Sequence, residues 1–84
     1  MTANALTSWF ARHSNGWVTF AELRPDGTWV AWAVADGELA SGPDYIEMDD
    51  VSAKAAAEFA LREKSGHDRC EVGCSGWVLH THGD

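Results

Sequence analysis

Two turn signals fall close together, Arg24-Pro25-Asp26-Gly27-Thr28 and Ala35-Asp36-Gly37-Glu38, and the runs flanking them are rich in Trp, Val and Phe. Pro25 presets φ for the first central turn position, Asp26 tolerates the next, and Gly27 supplies the positive φ that closes a three-residue hairpin. Asp36-Gly37 is a preferred pair for a two-residue type I′ turn. The segment from Trp17 to Ser41 is therefore expected to form a three-stranded antiparallel meander.

Turn length fixes register. A three-residue first loop sets Leu23 opposite Trp29, Glu22 opposite Val30, Phe20 opposite Trp32 and Val18 opposite Val34. A two-residue second loop sets Leu39 beside Val34 and Ser41 beside Trp32. The pleat then sorts side chains by parity. One face receives Val18, Phe20, Val30, Trp32 and Val34; the other receives Trp17, Thr19, Ala21, Leu23, Trp29, Ala31, Ala33 and Ala35. Bulk marks the first as the expected core face. The second, small in the middle and large at its ends, reads as a shallow groove or a seat for another element.

Before the meander, Leu6, Trp9, Phe10 and His13 stand at i, i+3, i+4 and i+7, with Asn4 or Thr2 as a cap and Asn15-Gly16 as a stop. This spacing predicts a short N-terminal helix, whose Trp9 and Phe10 are offered as cover for the face holding Trp17 and Trp29. After it, Gly42-Pro43 interrupts the third strand and Tyr45 to Met48 resumes the edge. Asp49 or Asp50 is a suitable N-cap for an Ala-rich helix from Val51 to Lys64, with Glu58 and Arg62 paired at i,i+4 and Ser65-Gly66 as its end. Its expected apolar stripe is Val51, Ala55 and Phe59, with Ala56 and Ala60 beside it. Trp77 to Thr81 reads as a final strand. The whole is one α+β domain over residues 1–84: a three-stranded meander packed on one main helix, with a short N-terminal helix and a C-terminal fourth strand.

The order helix, three strands, helix resembles the double-stranded RNA-binding domain, and Ser52-Ala53-Lys54-Ala55-Ala56-Ala57 is similar to the start of that family's second helix. That family grips the RNA backbone with several basic residues at this helix start. Here Lys54 stands alone behind Asp49 and Asp50, so the resemblance implies an outline and carries no RNA-binding function.

A chain of 84 residues can bury a single core, and five Trp enlarge what it buries. It has no apolar run near the ~20 residues needed to cross a bilayer and no basic, apolar start typical of secretion, so a cytoplasmic protein without membrane partners is expected. Two cysteines do not make the disulfide framework of small exported domains. The formal charge of −7 is unevenly placed. No Lys or Arg occurs between Arg24 and Lys54, whereas Asp26, Asp36, Glu38, Asp44, Glu47, Asp49 and Asp50 all fall there. Six scattered Lys and Arg do not supply the basic cluster that direct nucleic-acid binding requires.

Chemistry-bearing residues concentrate at the C-terminus, where His67, Cys70, Cys74, His80 and His82 suggest zinc. Cys70, Cys74, His80 and His82 form the candidate ligand set, although a four-residue cysteine spacing departs from the CxxC knuckle. A Cys70 to Cys74 disulfide and free thiols are the other readings. No GxSxG elbow, phosphate-binding glycine loop or HExxH motif is present, so no enzyme activity is expected. Binding is the remaining class. Asp36, Glu38, Asp44, Glu47, Asp49 and Asp50, with Trp17 and Trp29 as aromatic anchors, form a candidate surface for a basic protein. Carboxylates along an edge strand and a helix start can imitate duplex phosphates, so the expected partner is a nucleic-acid-handling protein. In size and charge the chain resembles small phage and mobile-element inhibitors, anti-CRISPR proteins among them. A zinc-stabilised accessory domain and a small-molecule-binding fold using the Trp17 and Trp29 face are the alternatives.

Overall fold

A computed structural model describes residues 6–35, 37–38, 42–67 and 76–82. Five strands, β1 (Leu6–Arg12), β2 (Trp17–Leu23), β3 (Trp29–Ala35), β4 (Tyr45–Glu47) and β5 (Val78–His82), form one antiparallel sheet in the order β4-β3-β2-β1-β5. One helix, α1 (Asp50–Ser65), packs on β2, β3 and β4. The fold is α+β. Among the described residues no helix is long and apolar enough to cross a membrane.

The hairpin between β2 and β3 has the expected register, from Leu23 opposite Trp29 to Val18 opposite Val34. Its turn closes through Arg24 N–H to the Thr28 carbonyl at 2.8 Å and Gly27 N–H to the Arg24 carbonyl at 3.0 Å, with Gly27 at φ 91°. Asp26 accepts the Thr28 N–H and hydroxyl at 3.0 and 2.6 Å, and these bonds hold its carboxyl below the ordinary carboxylate value. At the next turn Glu38 N–H reaches the Ala35 carbonyl at 2.9 Å, with Gly37 at φ 89°. Asp36, Leu39 and Ser41 lie outside the described residues, and so do the pairings expected for Leu39 and Ser41. Tyr45, Ile46 and Glu47 pair with Ala31, Val30 and Trp29, so an edge strand lies beside β3 after Gly42-Pro43 as expected.

The N-terminal helix is not formed. Leu6–Arg12 is a strand paired with β2 on one side and β5 on the other, and Ser14-Asn15-Gly16 is a hairpin loop. That loop repeats the bonds of the other: His13 N–H to the Trp17 carbonyl at 2.9 Å, Gly16 N–H to the His13 carbonyl at 3.0 Å, and Gly16 at φ 87°. The helical spacing of Leu6, Trp9, Phe10 and His13 is coincidental, because β2 pairs with Ser8 to Arg12 and β5 with Leu6 to Phe10, whereas a lone short helix is marginal in water. With a strand there, the outline shared with the double-stranded RNA-binding domain is lost.

The two packed clusters lie on the opposite face from the one expected, although Val18 and Val30 of the expected set are buried as well. Ala21, Ala31, Ala53 and Ala57 form one buried cluster, with Trp9, Trp29, Tyr45, Ala56 and Trp77 packed around it. Ala33, Ala60 and Leu61 form a second beside Trp17 and Tyr45. Alanine meeting alanine lets helix and sheet approach closely, and the large rings close the sides. The buried stripe of α1 is Ala53, Ala57, Ala60 and Leu61, whereas Val51 is 72% exposed and Phe59 43%. Asp49 caps the helix by accepting the Ser52 N–H at 2.8 Å, and Gly66 ends it at φ 80° with its N–H on the Arg62 carbonyl at 2.9 Å.

Candidate functional site

The carboxylates proposed for partner binding separate into different tasks. Asp44 precedes β4 and accepts the Ala33 N–H at 3.1 Å and the Lys64 Nζ at 3.1 Å; Lys64 also donates to the Ala33 carbonyl at 2.6 Å. Together they occupy backbone groups of β3 beyond the reach of β4. Asp49 is held by the helix start, and the Ser52 N–H lowers its pKa. Glu47 ends β4 opposite Trp29, half-buried, and Asp50 stands in the first turn of α1. Glu38 is exposed beyond β3, and Asp36 lies outside the described residues. The structure thus brings Asp44, Glu47, Asp49 and Asp50 together along the β4 to α1 edge, and commits Asp44 and Asp49 to holding the fold. Nearby, the Tyr45 hydroxyl donates to Glu63 at 2.6 Å, a bond that raises the phenol pKa.

Trp17 and Trp29 flank the two alanine clusters under α1, each half-buried, and Lys64 Nζ lies 6.0 Å from the Trp17 ring centroid. The groove between them is filled by the alanine face of the helix, which takes the covering role expected of an N-terminal helix. Of the candidate metal ligands, Cys70 and Cys74 lie outside the described residues. His80 and His82 fall in β5, at the rungs of Ser8 and Leu6. Among the described residues no group of three or more His, Cys, Asp or Glu is placed to hold a metal.

A histidine outside those sets is buried. His13, 5% exposed, shares a 2.8 Å hydrogen bond between its Nε2 and the Thr19 Oγ1, and the Thr19 hydroxyl points at the Ala11 carbonyl at 3.4 Å. That hydroxyl has a single proton, and the imidazole tautomer decides whether it goes to Nε2 or to the Ala11 carbonyl. The His67 ring meets the His13 ring edge-on at 5.4 Å, joining the segment after α1 to the end of the first hairpin.

The sheet face turned away from α1 is a second apolar feature. Register places Val78, Phe10, Phe20 and Trp32 in one row across β5, β1, β2 and β3. Arg12, Val18 and Val34 lie in a row on one side of it, and Glu22, Val30 and Ile46 on the other. Phe20 and Trp32 stack at 5.0 Å between centroids. Ile46 is 61% exposed and Val78 41%, whereas Val18 and Val30 are buried. Gly42 and Pro43 come over from the β3–β4 connection to line a cleft of about 210 Å³ with Glu22, Arg24, Val30 and Trp32. Parity revealed this set of residues in the sequence, but their bulk suggested an interior. No protein-family model, curated protein or solved structure matches the chain.

Proposed function

We propose that this chain is a non-catalytic protein-binding module whose contact surface is the helix-free face of the sheet, meeting an apolar surface on another protein chain. One observation carries the reading: the row Val78, Phe10, Phe20 and Trp32, with Ile46 and the Pro43 cleft beside it, lies opposite the helix. Contiguous exposed apolar surface rimmed by charge characterises interaction sites, and Trp and Phe are enriched at their centres. A cytoplasmic setting belongs to the same reading, supported by the absence of a multi-cysteine framework in the sequence. The test is photocrosslinking in the producing cell, with a benzophenone amino acid replacing Ile46 in one variant and exposed Glu58 in another. Adducts to protein chains are expected from position 46. Adducts from position 58 with none from 46 would sink the assignment of this face.

A second reading, a basic and nucleic-acid-handling partner on the β4 to α1 edge, is favoured by Glu47 and Asp50, which form no salt bridge to a described Lys or Arg. Such binding depends on charge, so its affinity falls steeply between low and high salt. A salt-independent contact excludes it.

A further inference from the structure

We infer that Asn15 is a self-modification site: the Gly16 backbone nitrogen displaces the Asn15 side-chain amide, and the carboxylate left behind unties the first hairpin from the end of α1. The loop leaves the reacting atoms accessible. Asn15 and Gly16 are both exposed, and a Cβ built on Gly16 would meet no residue beyond its chain neighbours within 4 Å, so no side chain shields the attacking nitrogen. The Trp17 N–H donates to Asn15 Oδ1 at 3.2 Å. That bond draws electron density from Cγ and closes a ring of atoms containing both Cγ and the Gly16 nitrogen. Two bonds oppose the attack, from the Gly16 N–H to the His13 carbonyl at 3.0 Å and from Asn15 Nδ2 to Ser65 Oγ at 3.0 Å. Both are exposed loop bonds of ordinary strength, and together they slow the reaction about thirtyfold relative to an unfolded chain.

The chemistry needs only water. The Gly16 nitrogen gives up its proton to hydroxide and bonds to Asn15 Cγ; the Cγ–Nδ2 bond breaks, and Nδ2 takes a proton from water and departs as ammonia. A five-membered imide then joins the two residues. Water adds to either imide carbonyl and the C–N bond there breaks, giving aspartate, or isoaspartate with the backbone rerouted through the side chain. Asp26 occupies the same place before Gly27 and accepts the Thr28 N–H in the same way, at 3.0 Å. Its bonds from Thr28 favour the ionised form, and a carboxylate is a far weaker electrophile than an amide. Asn4, the other asparagine of the chain, precedes Ala5, whose Cβ hinders such an attack, and the sequence contains no Gln. The amide chemistry therefore concentrates on Asn15.

The product cannot hold what the amide held. Asn15 Nδ2 reaches from the loop to Ser65, the last residue of α1. The Ser65 hydroxyl directs its one proton to the Leu61 carbonyl at 2.7 Å and accepts the His67 N–H at 3.3 Å. Toward Asn15 it therefore acts only as an acceptor, and a carboxylate is only an acceptor too. Deamidation sets two acceptors against each other and adds a negative charge at the C-terminus of α1, the negative end of the helix dipole. The tie between hairpin and helix is cut by a reaction whose pace is set by time and pH.

Prolonged incubation of the intact chain at neutral and mildly alkaline pH, in ordinary and in heavy-oxygen water, tests the inference, with the urea-unfolded chain as reference. Peptide mapping by mass spectrometry should find a gain of one mass unit at Asn15, three in heavy-oxygen water. The gain should be faster at the higher pH, where more of the Gly16 nitrogen is deprotonated, and about thirtyfold slower than in urea. The untying is read separately, by urea unfolding of variants at exposed Asn15 and partly exposed Ser65. Asn15→Asp should raise the unfolding constant about threefold or more, and that effect should vanish in a Ser65→Ala background. A folded chain that keeps the Asn15 amide while the unfolded chain loses it, or a gain confined to Asn4, overturns the modification. An Asn15→Asp effect undiminished by Ser65→Ala overturns the untying.

Discussion

Phe20 and Trp32 stack across adjacent strands with centroids 5.0 Å apart and planes 20° from parallel, on the sheet face turned away from the helix. Neither ring is fully buried, so their contact has to hold largely by lateral packing. A double-mutant cycle with Phe20→Ala and Trp32→Ala should give a coupling of about 0.5–1.5 kcal/mol in urea unfolding. Additive losses would show that the stacking contributes nothing beyond area.

The alanine interface between α1 and the sheet has no room to expand. Ala57 and Ala31 are both fully buried in one cluster, and Ala57→Leu or Ala31→Val should destabilise by about 1–3 kcal/mol through forced separation of the layers. Val51→Ala, on the exposed side of the same helix, should change stability by less than about 0.5 kcal/mol. Equal effects at both sites would contradict the observed facing of α1.

Thr19 joins two strands and a buried imidazole. Thr19→Val keeps the shape and removes the hydroxyl, leaving the His13 Nε2 without its hydrogen-bond partner in a position 5% exposed. A loss of about 1–3 kcal/mol is expected. Thr19→Ser retains the hydroxyl and should recover most of it in the same denaturation experiment.

Gly16 and Gly27 occupy the same place in two loops of identical hydrogen bonding, at φ 87° and 91°, and a Cβ at either would meet nothing within 4 Å. Replacement by Ala is therefore opposed by backbone conformation alone, about 1–2 kcal/mol at each site. The two variants should give similar shifts in melting temperature, and a much larger loss at one would reveal a packing role there.

Acid acts on the start of α1. The Ser52 N–H lowers the folded-state pKa of Asp49 below its ordinary value of 3.8. The folded chain thus binds this proton less readily than the unfolded one, so the contribution is complete above the ordinary value and lost as pH falls through the folded one. Asp49→Asn keeps a capping oxygen without the titration. The melting-temperature advantage of the unaltered chain over Asp49→Asn should shrink steadily as pH falls below about 4. An advantage that grows on acidification would reverse the sign and refute the assignment.

Among the site residues, the sequence supplied identities but not duties. Asp49 or Asp50 was readable as a cap from its place before an Ala-rich helix, and the structure gives that role to Asp49. Asp44 was not readable as the partner of Lys64 and the Ala33 N–H, because that arrangement depends on α1 crossing beside β3. Trp17 and Trp29 were correctly assigned to one face. Whether that face was open or covered depended on which element lay over it.

Local stereochemistry settled the register of β2 on β3, because the turns there depend on the φ of individual residues, which neighbouring residues alone constrain. The Asn15-Gly16 pair carried the same signal as Asp26-Gly27, and it was obscured by a helical spacing too short to outweigh two adjacent strands. Parity of a pleated strand divides side chains into two sets without saying which is inside. That choice came from the docking of α1, whose buried Ala53, Ala57 and Ala60 fit against Ala21, Ala31 and Ala33 more closely than they could against Phe20 and Trp32. Close packing of small on small therefore left Phe20 and Trp32 on the sheet face turned away from the helix.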